Sequence, residues 1–322
     1  MTPAPATGRL RLGTRGSALA RVQAGLVARA LERLHPGLRV EERVISTRGD
    51  REVDRPLAPL GGKGLFVREI EQALQAEEID LAVHSLKDLP AELPPGLALA
   101  AVPERADPAD AVVSPRGGSL DDLPPAARVA TGSPRRAQQL RLLRADLEFV
   151  PLRGNVDTRL RRLEAGDFEA LVLAVSGLTR LGRLDSRAWR LDPDLCIPAP
   201  GQGALGIEVR SGSEAEEVLR GLHHEASGLE IRAERALVQR LGGGCQVPLG
   251  ALARVHGDHL RLTAFLADDA AQRWVREAAE GEAARPEEVG RRLADRILGA
   301  GGEEIVRALS RRRPADGDAE PE

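Results

Sequence analysis

The chain has 322 residues, 42% hydrophobic and 30% charged, which suits a soluble globular protein of two or three domains with room for real cores. Aromatic residues make up 2%, tyrosine is absent and the net charge is −3, so the cores must be aliphatic, and a general footprint for nucleic acid is missing, as are the stacking platforms used on single strands. No apolar run approaches a membrane span and residues 1–12 lack the hydrophobic core of a secretory signal, so the expected compartment is the cytoplasm.

In chain order, Arg9 to Gly13 reads as a strand. A helical pattern follows from about Ser17 to Leu34, with Ser17 placed to cap it. Short apolar strands recur at Ile79 to Val83, Arg128 to Ala130, Leu147 to Leu152 and Ala170 to Ala174, each followed by a polar or glycine-bearing turn and mostly by a helix signal. This alternation predicts α/β layers with largely parallel sheets. Pro103 to Pro108 and Pro198 to Gly203 read as paired crossings between two such domains, which makes the first domain discontinuous. The expected units are 1–103 with 203–221, then 107–200, then a smaller α+β domain over 224–310. That last unit is read as a helix, a glycine turn, two antiparallel strands (Ala251 to Val255 and Arg261 to Leu266) and a terminal helix. The charged, proline-bearing residues 311–322 are expected to be a disordered tail.

Ligands of open α/β sheets gather beyond the carboxyl ends of the strands, and here those junctions are rich in arginine. Thr131-Gly132-Ser133-Pro134-Arg135-Arg136 ends a strand and starts a helix, with Ser133 suited to cap it and Pro134 to its first turn. Free backbone amides and the helix dipole beside two arginines make an anion site. Arg153 to Arg159 and Gly13 to Ser17 repeat the theme, and Arg180 follows the strand at Ala170 to Ala174. Several such junctions facing one cleft imply a ligand with many carboxylates or phosphates. Phosphate alone fits less well, because Gly61-Gly62-Lys63-Gly64 has neither the spacing nor the following Ser/Thr of a P-loop.

Only two of the 46 basic side chains are lysine, Lys63 and Lys87, and Lys87 lies in His84-Ser85-Leu86-Lys87-Asp88-Leu89-Pro90. A compact ammonium and a planar guanidinium are not interchangeable at a site, which marks Lys87 and its neighbour Asp88 as functional candidates. Against a cationic lining, Asp88 offers an anion to meet positive charge created during reaction, or a proton shuttle; taken alone, capping a turn or pairing with Lys87 is the simpler reading. The two cysteines form no disulfide framework, and no CxxC or HExxH spacing points to zinc. Cys196, between Leu195 and Ile197, reads as a small buried hydrophobe. Cys245, in Leu241-Gly242-Gly243-Gly244-Cys245-Gln246-Val247-Pro248, has an unencumbered setting that suggests reaction or covalent attachment, while Glu234 is too distant along the chain to imply a triad. His84, His223 and His224 are available as bases, with the histidine pair read as a solvated loop.

Taken together, HSLKDLP (84–90), TGSPRR (131–136), RGNVDTRL (153–160), PAPGQGALGIE (198–208) and LGGGCQVPLGA (241–251) resemble the porphobilinogen deaminase family, also called hydroxymethylbilane synthase. The motifs occur in the family's order across nearly the whole chain, and TRGS near the start and GGKGLF at 61–66 match as well. The resemblance implies two doubly wound, periplasmic-binding-protein-like α/β domains joined by two crossings, plus the smaller C-terminal α+β domain. It implies a cytoplasmic, monomeric transferase that joins four porphobilinogen molecules head to tail and releases ammonia each time. It also implies a dipyrromethane cofactor attached by a thioether to Cys245. By the same resemblance Asp88 is catalytic, and the cofactor is held by Lys87, Asp88, Ser133, Arg135, Arg136 and Arg159. Substrate contacts fall on Arg15, Ser17, Gln23, Arg153, Asn155 and Arg180, with Lys63 and Phe66 in a loop that covers the cleft. Pro59 departs from the pattern, standing where many members carry a further lysine. Apart from the resemblance, two α/β domains with two crossings also describe a solute-binding or effector-sensing module.

Overall fold

The computed structural model describes residues 7–47, 49, 67–242, 248–269 and 271–311. Three sheets organise them. The first comprises β1 (Thr7–Arg15), β2 (Gly37–Ile45), β3 (Leu81–Ser85), β4 (Leu97–Ala101) and β10 (Leu205–Arg210), in the order β2-β1-β3-β10-β4. The second comprises β5 (Asp110–Val113), β6 (Arg128–Ala130), β7 (Glu148–Val150), β8 (Ala170–Ala174) and β9 (Ala188–Arg190), in the order β7-β6-β8-β5-β9. The third is an antiparallel meander of β11 (Leu249–His256), β12 (His259–Ala267) and β13 (Trp274–Glu282).

Local chemistry accounts for the helices beside the first two sheets. Helix α1 (Ala18–Leu34) starts where the Ser17 hydroxyl accepts from the Ala20 amide, and its buried positions Gln23, Ala24, Val27 and Leu31 form one stripe. That stripe packs on Leu12, Leu81, Val83 and Ile207 of the first sheet. Helix α2 (Arg68–Gln75) covers the opposite face through Ile70, Ala73 and Leu74. In the second sheet β8 is buried along its whole length, as its sequence ALVLA requires of a central strand with both faces covered. Helices α3 (Pro134–Leu143), α4 (Val156–Glu164) and α5 (Val175–Arg180) follow its strands, and α6 (Glu214–Leu219) returns to the first sheet.

The expectation of largely parallel sheets needs correction. In each five-stranded sheet two pairings are parallel and two antiparallel, the latter made by β10 with β3 and β4, and by β5 with β8 and β9. The cause is topological. β5 and β10 are the strands on which the chain enters after each crossing, so each begins where a neighbouring strand ends: Asp110 opposite Ala174, and Leu205 opposite Ser85. Both crossings therefore run along the carboxyl edges of β3 and β8. The crossings also touch each other, since the Ala106 amide donates to the Gly203 carbonyl at 3.3 Å. Gly203 has φ +89°, and any Cβ there would run into the Ala106 carbonyl oxygen, so the contact requires glycine.

The third sheet is covered on one face by α7 (Glu225–Arg240) and α8 (Pro286–Ile297), whose Ala233, Leu237, Val289 and Leu293 close a core over Leu260, Leu262 and Ala264. α9 (Glu303–Arg311) completes it. The sequence reading found β11 and β12 but not β13. Trp274–Glu282 alternates only weakly, with Val275 and Ala279 inward among charged and small residues, and its pairing with β12 decides its conformation. His223 and His224 lie exposed in a loop, as expected, and each also has a structural bond: His224 caps α7 by accepting from the Ser227 amide, and His223 Nδ1 accepts from the Val102 amide at 3.2 Å. Among the described residues no helix is long and apolar enough to cross a membrane.

Glu234 on α7, fully buried, ties this unit to both crossings. It receives Arg105 at 2.7 and 3.2 Å, the Gly201 amide at 2.6 Å and the Ala253 amide at 2.9 Å. Removing one partner of such a pair leaves an uncompensated buried charge, so Glu234→Ala should lower unfolding stability by about 3–5 kcal/mol. Urea denaturation beside wild type checks this, and a loss below about 1 kcal/mol would remove the clamp from the account.

Candidate active site

β3 ends in a single 3-10 turn, Leu86–Asp88, which Leu86 anchors in the core while Asp88 is left exposed. This turn stands at the carboxyl edge against the second crossing, where the Leu86 amide donates to the Ala204 carbonyl at 3.1 Å and Lys87 to Gln202 at 3.4 Å. On the same side, Arg15, Ser17, Gln23, Ser85 and Asp88 line one small pocket. Gln23 is buried and exchanges hydrogen bonds with the Ser85 hydroxyl at 2.9 and 3.1 Å, which fixes the backbone just before the turn. His84 points to the other face of β3, where its Nε2 lies 3.0 Å from Glu208.

The second sheet supplies the facing wall. Ser133 caps α3 and Asn155 caps α4, their side chains accepting from the Arg136 and Thr158 amides. Gly132 lets the two junctions close on each other: a Cβ there would lie 2.5 Å from the Leu152 carbonyl oxygen. Arg153 is exposed, whereas Arg159 is part-buried and its Nε has no hydrogen-bond partner among the described residues. Arg180, at the end of α5, donates to the Gly203 carbonyl at 2.7 Å and so reaches the second crossing.

Asp110, the first residue of β5, is wholly buried and was not singled out from sequence. It accepts from Arg135 at 2.7 Å and from Arg136 at 2.9 and 2.6 Å. Burial alone would raise its pKa, but the two guanidiniums reverse that and hold it well below the usual carboxylate range. Its contribution to stability is present above the ordinary carboxylate pKa and is lost only as pH falls through the depressed value. Arg135 is also committed to the Ile197 carbonyl at 2.8 Å, so it is the less available of the two arginines. Gln202 on the second crossing donates to Asp110 at 2.8 Å and accepts from Lys87 and from Arg136, each at 3.4 Å. Of this network, a carboxylate inside an alanine- and valine-rich segment was the available signal for Asp110. Gln202 carried no signal beyond its place in a glycine-rich crossing.

The network gathers Lys87 and Asp88 of the first unit with Arg136 and Arg159 of the second. Burial, then Arg136, lowers the Lys87 pKa to about 8, with Asp88 and Asp110 acting in the opposite sense. Burial, then Arg136, lowers Arg159 to about 10 against the pull of Asp88, and burial alone lowers Arg180 to about 10. These cations are half-buried without, among the described residues, a carboxylate opposite each, an arrangement that a polycarboxylate ligand completes. The dipyrromethane implied by the sequence motifs, with its acidic side chains, fits that donor set. Cys196 is a buried thiol pushed up to about 12 by burial and Asp110, consistent with a structural hydrophobe. Cys245, Lys63, Phe66 and Pro59 lie outside the described residues.

A cleft between two α/β units, crossed twice and lined by one exposed carboxylate and several desolvated cations, defines a protein built around a polyanionic organic ligand. The family model described as porphobilinogen deaminase, dipyromethane cofactor binding domain, matches residues 10–218, and that of the porphobilinogen deaminase C-terminal domain matches residues 228–299. The porphobilinogen deaminase of Roseiflexus sp. (strain RS-1) is 52% identical over 92% of this chain and 98% of its own length. That of Geotalea uraniireducens is 48% identical over 94% and 95%. The chain belongs to the porphobilinogen deaminase family. Among solved structures, a putative methionine-binding lipoprotein from Bacillus subtilis is similar at 15% identity and TM-score 0.40, over 67% of this chain and 90% of that one, too distant to add to the assignment.

Because Lys87 and Lys63 are the chain's two lysines, 13C labelling at lysine Cε gives a readable spectrum. In Cys245→Ala protein one resonance, absent from Lys87→Arg, should titrate near pH 8, the ammonium losing its proton as pH rises through that value. A midpoint at the ordinary 10.5 would contradict the burial of this charge.

Proposed function

We propose that this chain condenses four porphobilinogen molecules into hydroxymethylbilane with loss of four ammonia, starting from a dipyrromethane primer held by a thioether to Cys245. The observation that carries the reading is the meeting of Asp88 with Lys87, Arg136 and Arg159, two units contributing to one charged cluster. The bound primer supplies the pyrrole carbon to which each incoming unit is joined. Lys87, Ser133, Arg136 and Arg159 hold primer carboxylates, guanidinium forks suiting planar carboxylates and the capped start of α3 adding free amides. Arg135, engaged by Asp110, joins that set chiefly by fixing Arg136 and the start of α3.

Arg15, Ser17, Gln23, Arg153, Asn155 and Arg180 receive the substrate's acidic side chains, and Lys63 and Phe66 cover the cleft. Asp88 stands among cations yet is itself exposed to the pocket, so its carboxylate meets the positive charge created on the substrate as ammonia departs. It accepts hydrogen bonds from pyrrole N–H groups and takes up the proton released once the rings are joined. A non-catalytic solute-binding module would fit two crossings equally well, but it gives no role to Asp88 among cations. The same reading makes the protein a cytoplasmic monomer. It takes 1–103 with 203–221, 107–200 and 224–310 as its units, a division supported by the distribution of strands among the three sheets.

Asp88→Asn should lose about 2.7–4 kcal/mol of transition-state stabilisation, a fall in kcat of about 100- to 1000-fold, without loss of fold. Asp88→Glu, which keeps the charge but displaces it, should fall between. Ammonia release from porphobilinogen measures both, and an Asn variant within about threefold of wild type would take the central role from Asp88.

A further inference from the structure

The third sheet has a second face, turned away from α7 and α8, which the cleft does not use. Between it and residues 193–197 lies a cavity of about 640 Å³, within the range of small-molecule sites. Its apolar floor is Ile197 and Leu252, which pack with Phe265. Its polar wall carries Arg254, Arg261 and Arg276, with His256 beside them.

Two features of that wall lack an internal explanation. Arg254 and Arg261 are direct partners in the β11–β12 register, and like charges so placed repel. Each has only a loose ion pair to offset this, Arg254 with Glu230 at 3.8 Å and Arg261 with Glu280 at 3.7 Å, and neither guanidinium makes a hydrogen bond among the described residues. Arg276 uses one nitrogen on the Asp194 carbonyl at 2.5 Å. Of the two acidic groups at the wall, Glu277 is paired with Arg296 at 3.1 Å, leaving Asp194 as the only unpaired one among the described residues.

We propose that this cavity is a second ligand site, for a compact organic dicarboxylate whose apolar body rests on Ile197 and Leu252 while Arg254 and Arg261 each take one carboxylate. Two planar forks side by side on neighbouring strands suit two carboxylates of one molecule better than a single small ion. The site shares no residue with the set assigned to primer and substrate. It does adjoin a crossing: Glu230, the distant partner of Arg254, also meets Arg105 at 3.3 Å. A ligand that draws Arg254 away leaves Glu230 to Arg105.

Trp274 reports on this face, stacked on Phe265 with ring centroids 6.2 Å apart, and Trp189 is the chain's other tryptophan. Adipate, with two carboxylates on four methylenes, is titrated into the primer-bearing wild type and the Trp189→Phe variant while indole emission is followed. The expected result is a saturable change in both, weakened about tenfold or more in Arg254→Gln/Arg261→Gln and for hexanoate, which has one carboxylate. Adipate held in the active cleft would be insensitive to those two substitutions. Absence of saturation in wild type, or equal affinity in the double variant, overturns the proposal. Equal affinity for hexanoate overturns its dicarboxylate specificity. Should Trp189→Phe not fold, wild type against the double variant decides alone.

Discussion

The buried carboxylate of Asp110 is the constraint on which the cleft depends. Two guanidiniums stand side by side at the start of α3, and without a shared anion neither would be tolerated out of water. Asp110 supplies that anion from the first residue of the strand on which the chain enters the second unit, so the crossing and the charge cluster are fixed by one contact. Gln202, on the return crossing, bonds to Asp110 and reaches toward Lys87, extending the lattice across both units. One carboxylate against two arginines leaves a positive surplus at the edge where Asp88 is presented.

That surplus explains why the cations of the cleft are shifted as they are. Lys87, Arg159 and Arg180 have lowered pKa values because folding removes water from them without supplying an equal number of anions. The protein carries this electrostatic cost in its folded state, and ligand carboxylates relieve it. Asp88 is the exception in sign and in exposure, and its small share of negative charge is placed where a reaction, rather than the fold, calls for it. The arrangement suits a chain that grows by units each bringing further carboxylates, because successive carboxylates meet cations already desolvated and oriented.

The strand and helix starts were legible where local chemistry is strong: Ser17 and Ser133 each cap the helix that the sequence assigns to them. The candidates on the two walls, Arg15, Ser17, Gln23, Lys87, Asp88, Arg136 and Arg159, do gather at the carboxyl edges. What sequence could not show were long-range pairings. β5 and β10 run antiparallel because of where the crossings enter, which no local pattern encodes, and β13 is settled by β12 rather than by its own residues. Asp110 and Glu234 were invisible as hubs because their partners lie 25 and 129 residues away. Glu234, dismissed as remote from Cys245, proves to join the third unit to the crossings.

The central claim is that the cationic cleft exists to hold a polycarboxylate primer fixed to the protein itself. Intact-protein mass spectrometry of wild type beside Cys245→Ala tests it most directly. The account predicts a wild-type excess equal to two porphobilinogen units less two ammonia molecules, absent from the variant. An unmodified wild type that also gains no adduct on incubation with porphobilinogen would contradict it.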